Sequence, residues 1–66
     1  MSQVQTAPSQ PVLLTIVQVA QTLGLSRSKV YQLIYSEGLP TVRFGRALRV
    51  RYVALLQWLE RREEVV

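Results

Sequence analysis

Apolar residues first fall into step at Ile16. Ile16, Val19, Ala20 and Leu23 lie at i, i+3, i+4 and i+7, which is one face of a helix. Thr15 precedes this run and Gln18 follows three residues later, the T-x-x-Q form of a capping box. Leu14 stands at N′, placed to staple onto Val19. Gly24 supplies the left-handed position that ends the helix. Ser26 then predicts the N-cap of a second helix over 27–37, with Val30, Leu33 and Ile34 as its buried stripe and Gly38 as its stop. Only Gly24, Leu25 and the Ser26 cap separate the two, which makes them a helix-turn-helix.

The period changes after Pro40, which blocks helix continuation. Val42, Phe44, Leu48 and Val50 are apolar, and Arg43 and Arg49 alternate with them. Period two predicts a hairpin of roughly 41–44 and 48–50, with Gly45, Arg46 and Ala47 between the strands. On this reading the arginines share the face away from Val42, Phe44 and Val50, and Arg46 stands at the tip. A third helix is predicted over 52–62 from the Leu55, Trp58 and Leu59 stripe. It is expected to support the hairpin, which is not stable alone. Leu56 falls off that stripe, as an ordinary exposed leucine or a contact point for another subunit. Residues 1–11 are polar and uncharged with two prolines and read as a disordered tail; 12–63 form the domain, and 64–66 fray. The expected fold is mainly α with a small two-stranded antiparallel hairpin, a winged helix-turn-helix.

Composition sharpens this picture. The chain has 66 residues with eight Lys or Arg and four Asp or Glu, a net +4. Residues 1–26 carry no charged side chain. Residues 27–51 hold Arg27, Lys29, Arg43, Arg46, Arg49 and Arg51 against Glu37 alone, a net +5. The positive charge therefore coincides with the second helix and the hairpin, and a polyanion is its natural partner. A domain this short buries only about 60% of its unfolded surface. Having neither cysteine nor histidine, it has no disulfide and no plausible structural zinc site to compensate. The lack of cysteine fits a reducing cytoplasm. The apolar stretch from Val12 to Val17 is too short for a signal-peptide core or a membrane span, so the chain reads as soluble and intracellular.

Catalysis has nothing to work with. There is no histidine, cysteine or aspartate, and the carboxylates are Glu37 and three glutamates in the last seven residues. No acid pair, no nucleophile with its base and no metal-ligand set can be assembled, and no glycine-rich phosphate loop exists. The chain reads as a non-enzyme that needs no cofactor.

Binding chemistry is better supplied. A recognition helix presents its N-terminal residues to base edges in the major groove. Here those residues are Arg27, Ser28 and Lys29, with Gln32 one turn on. Arg and Lys suit guanine, Gln suits adenine and Ser is permissive. The plain alternative is solvated surface, since basic residues at a helix start oppose its dipole. At the hairpin, Arg46 would enter a minor groove, with Arg43 and Arg49 on phosphates to either side. A charged edge that blocks aggregation is the alternative there, but such an edge mixes signs. Tyr31 is expected to pack at the core edge. Tyr35 is left between packing and a phosphate hydrogen bond. Trp58 and Phe44 are assigned to the core.

Residues 13–60 resemble the excisionase-type winged helix domains, relatives of the MerR DNA-binding domain. The resemblance rests on L-T-x-x-x-V-A, L-G-L-S-R-S-K-V-Y-Q-L-I, G-L-P, V-R-F-G-R and A-L-L-Q-W-L. The family often has proline after the second wing strand, where this chain has Arg51, which adds a charge near the phosphates. Excisionases are recombination directionality factors of phages and integrative elements. The resemblance therefore implies double-stranded DNA as partner, bending at attachment sites, neighbouring copies on adjacent sites and a separate site-specific integrase. It implies Arg27, Ser28, Lys29 and Gln32 as major-groove readers, Arg43 and Arg46 as wing contacts and Arg49 as a backbone contact. A stand-alone domain fits this better than a MerR-type regulator, which appends a dimerisation helix and an effector domain. Two other readings stand beside it: a small transcription regulator at a promoter, and a protein-interaction adaptor or antitoxin.

Overall fold

The computed structural model describes residues 11–64. Most of the expected tail, and residues 65–66 of the expected frayed end, lie outside the described residues. The order is β1 (Leu13–Leu14), α1 (Ile16–Leu23), α2 (Arg27–Glu37), β2 (Val42–Phe44), β3 (Ala47–Arg51) and α3 (Tyr52–Arg62).

Local chemistry sets the helix ends. The Thr15 hydroxyl accepts from the Gln18 amide at 3.1 Å, and the Gln18 side chain accepts from the Thr15 amide at 2.8 Å. Both arms of the capping box are therefore made. Thr15→Ala is expected to cost about 1 kcal/mol of stability (range ~0.5–2), read as a lower denaturant midpoint at unchanged slope. A midpoint that does not move would show that the box contributes nothing. Gly24, at φ 70°, closes α1: its amide and that of Leu25 reach back to the Gln21 and Ala20 carbonyls.

The fully buried side chains Val19, Val30, Val50 and Leu55 come one each from α1, α2, β3 and α3. The core lies where those four elements meet, and Leu14, Ile16, Ala20, Leu33, Leu39 and Trp58 complete it. Trp58 also fastens α3 to the end of α2. Its indole Nε1 donates to the Glu37 carbonyl at 3.2 Å, one of the carbonyls a helix C-terminus leaves unpaired. The Arg62 guanidinium lies 4.6 Å from the centre of the Trp58 ring and donates to the Glu37 carboxylate at 3.1 Å.

The expected hairpin is present, and β1 joins it to make a three-stranded antiparallel sheet of order β1-β3-β2. Leu13 pairs with Arg51 and Leu14 with Val50. A two-residue strand leaves no alternation to read, so only its partner reveals it. The hairpin loop is also shorter than expected. Ala47 belongs to β3 and pairs with Phe44, leaving a two-residue turn of Gly45 and Arg46. Gly45 takes φ 59° at the first turn position, where tight hairpin turns need positive φ.

That one-residue difference rearranges the faces. A three-residue loop would set Arg43 opposite Arg49. The observed register sets Arg43 opposite Leu48 and Val42 opposite Arg49. Directly opposed residues share a face. Arg43 therefore lies on the face of Leu48, Val50 and Leu14, beyond the edge of the core. Arg49 and Arg51 lie on the outer face with Leu13, Val42, Phe44 and Ala47. The arginines do not share one face, which corrects the sequence reading. Phe44 is corrected too: it is 56% exposed and outside the core. No helix among the described residues is long and apolar enough to cross a membrane.

Candidate nucleic-acid interface

The second helix of the helix-turn-helix presents a defined outer face. At 100° per residue, Ser28, Gln32 and Tyr35 fall within an arc of about 60° opposite the Val30–Leu33–Ile34 stripe. Arg27 and Lys29 flank that arc on its two sides. All five are exposed. The Lys29 amide is held by the Ser26 hydroxyl at 3.1 Å, while the Arg27 and Ser28 amides have no partner within the helix. This end of α2 therefore offers free amides, two cations and two uncharged polar side chains, the inventory an anionic groove takes up.

Tyr31 stacks on Tyr35, with ring centroids 6.3 Å apart and planes within 9°. Tyr31 packs on Tyr35 and is 41% exposed, where the sequence reading set it at the core edge. Tyr35, at 70% exposed, adds a large amphipathic side chain to the Ser28–Gln32 face. The i, i+4 spacing of the tyrosines is visible in the sequence, but it does not say whether the pair faces core or solvent.

Glu37 is the one acid in the basic segment. It lies ten residues along α2 from Arg27, about 15 Å away, which exceeds a physiological Debye length of about 8 Å. Arg62 already pairs with it. Within α2 the N-terminal half therefore carries its positive charge with no acid inside that distance.

The hairpin supplies the second basic surface. Arg46 is exposed in the tip turn, Arg43 and Arg51 are exposed on opposite faces, and Arg49 is half-buried. Arg49 differs from the others because its Nη1 donates to the Leu48 carbonyl at 2.9 Å. That bond engages one of its five N–H groups and holds the guanidinium against the strand. Arg51 borders a shallow concavity of about 200 Å³ lined by Pro40, Thr41, Val42 and Ala54. Among the described residues no group of three His, Cys, Asp or Glu could hold a metal ion.

A family profile described as "Helix-turn-helix domain" matches residues 13–63. Two proteins of Mycobacterium tuberculosis, from strains CDC 1551 / Oshkosh and ATCC 25618 / H37Rv, are provisionally named DNA-binding proteins. Each is 42% identical to the chain over 48 residues, which is 73% of this chain and 62% of the relative. A protein of Saccharopolyspora erythraea named "Probable excisionase" is 43% identical over 44 residues, 67% of this chain and 45% of the relative. The chain thus spans about three fifths of the mycobacterial relatives and under half of the third. No solved structure gives a significant match.

Proposed function

The chain belongs to the helix-turn-helix domain family, as a small winged member related to excisionases and DNA-binding proteins, and from that footing we propose that it binds duplex DNA sequence-specifically and acts as an excisionase. The observation that carries the proposal is the placement of charge. Five of the six basic residues of the segment 27–51 are exposed, and all six sit on α2 or the hairpin, the two parts of a winged fold that meet DNA. α2 enters the major groove with Ser28 and Gln32 central, and Arg27 and Lys29 to the sides. Arg46 enters the adjacent minor groove, whose negative potential draws arginine. Arg43 and Arg51 hold phosphates, and Arg49 braces the hairpin as well as contacting the backbone. The protein does no strand chemistry. It bends attachment-site DNA, in the bacterial cytoplasm, so that a separate integrase can excise the element, and further copies occupy adjacent sites.

An excision assay with an integrase encoded beside this protein tests the role. Excision should rise when the protein is added, and an unchanged rate removes the excisionase reading. The mycobacterial relatives' names speak of DNA binding only, which favours a promoter regulator as the second reading. Footprinting across attachment sites and nearby promoters separates the two. The phosphate contacts have their own signature. Arg43→Ala should weaken binding on every duplex alike and lower the salt slope by about 1. A loss confined to one sequence would make Arg43 a base reader instead.

A further inference from the structure

Phe44 was expected in the core, yet the register turns it to the outer face of the sheet, where it is 56% exposed and no neighbouring side chain of the core covers it. We propose that Phe44 is a wedge: the wing presses it between two base pairs of the minor groove, and it is the side chain with which this protein kinks DNA. The inference rests on the DNA-binding reading above and adds to it a named mechanical part.

The placement supports the wedge in three ways. Phe44 is the last residue of β2, directly before the Gly45–Arg46 turn, and it lies on the outer face of the sheet. Its cross-strand partner is Ala47, whose methyl is too small to cover a phenyl ring. The surroundings are those of a polyanion site: Arg46 follows at the tip, Arg49 and Arg51 share the outer face, and strands β2 and β3 contain no acid.

Dimensions bring Phe44 to the groove once the wing tip enters. The minor groove is about 7.5 Å deep. One strand residue spans about 3.3 Å, so Phe44 stands at the mouth of the groove when the Arg46 side chain reaches in. The groove is also only about 6 Å wide, while the strand backbones of a hairpin are already about 4.8 Å apart before side chains are counted. An undeformed groove admits the Arg46 side chain but not the ribbon behind it. An apolar wedge that unstacks a base step opens the groove and kinks the duplex toward the major groove. Steps that unstack easily, such as TA and CA, would be preferred under the wing even though no base edge there is read.

The test uses the full chain and a duplex that the protein itself selects from a randomised pool, with 2-aminopurine at successive positions under the wing footprint. The wild type should raise fluorescence at one step and bend the duplex in a phasing assay. Phe44→Ala should keep the footprint, lose the fluorescence rise and reduce the bend by about 20° or more. Phe44→Leu should keep much of both, because leucine is also a wedge. Because Phe44 lies outside the core, both variants should fold, as circular dichroism would confirm. If Phe44→Ala retains the unstacking signal and the bend, the wedge is wrong. If it loses only cooperativity between copies on tandem sites, the wedge is again wrong and Phe44 faces a second copy. A wild type that binds no duplex even at low salt brings down the DNA-binding reading and the wedge together. One that binds and bends without unstacking any step brings down the wedge alone.

Discussion

Trp58→Ala is expected to leave the domain largely unfolded at physiological temperature. Trp58 is 5% exposed and sits in the core, so truncation removes an indole and opens a cavity, a change that costs about 3–5 kcal/mol. A chain of this length has a total stability of only about 3–10 kcal/mol. The loss has two further parts. The Glu37 carbonyl loses the indole N–H at the end of α2, and Arg62 loses the ring beneath it. Trp58 also provides the chain's only indole fluorescence, so the variant should be followed by circular dichroism during urea unfolding. Arg62→Ala serves as the control. Its ion pair with Glu37 is 44% and 41% exposed, and pairs of that kind contribute about 0–1 kcal/mol. A Trp58→Ala midpoint close to that of Arg62→Ala would mean that α3 does not hold the fold together through this residue.

Gln32→Ala is expected to cost about 1–3 kcal/mol on the protein's preferred site, roughly 5- to 150-fold in affinity, and little on unrelated duplex. Gln32 lies one turn after Ser28 on the outward arc of α2 and is exposed, and among the described residues its amide makes no hydrogen bond. Arg27→Ala should show the same sequence-dependent loss, together with a shallower salt slope, because its cation flanks the arc where the proposed docking sets the phosphates. Arg43→Ala provides the contrast, since its loss should follow salt and not sequence. Titrations on the selected site and on a scrambled duplex, at two salt concentrations, separate the classes. If Gln32→Ala loses equally on both duplexes, α2 does not read bases through this face.

The parts of the fold that were legible in the sequence share a physical property: their causes act over four residues or fewer. The Thr15–Gln18 box, the Ser26 cap and the Gly24 and Gly38 stops marked the ends of α1 and α2. The stripes of α1, α2 and α3 gave their buried faces correctly. The candidate residues on α2 could likewise be placed, because a helix with a known core stripe has a known outer face. The hairpin was harder. Its alternation named the strands, but the arginines' faces depended on whether Ala47 belonged to the turn or to β3. Sequence composition does not decide that, and one residue of difference moved Arg43 and Arg49 to opposite sides. Phe44 was misplaced for a related reason. Alternation showed that it shared a face with Val42, and only the sheet's position against the helices shows that this face is the outer one.

The sequence alone therefore determined a helix-turn-helix followed by a hairpin and a third helix, and confined the positive charge to 27–51. These follow from capping, periodicity and composition, which are properties of the chain read locally. Tertiary structure decided the pairing of β1 with β3, across 38 residues between Leu13 and Arg51, and the Trp58 bond to Glu37, across 21. It also decided the strand register and the solvent-facing side of the sheet. Those depend on which distant surfaces meet, and a period-two pattern carries no information about its partner.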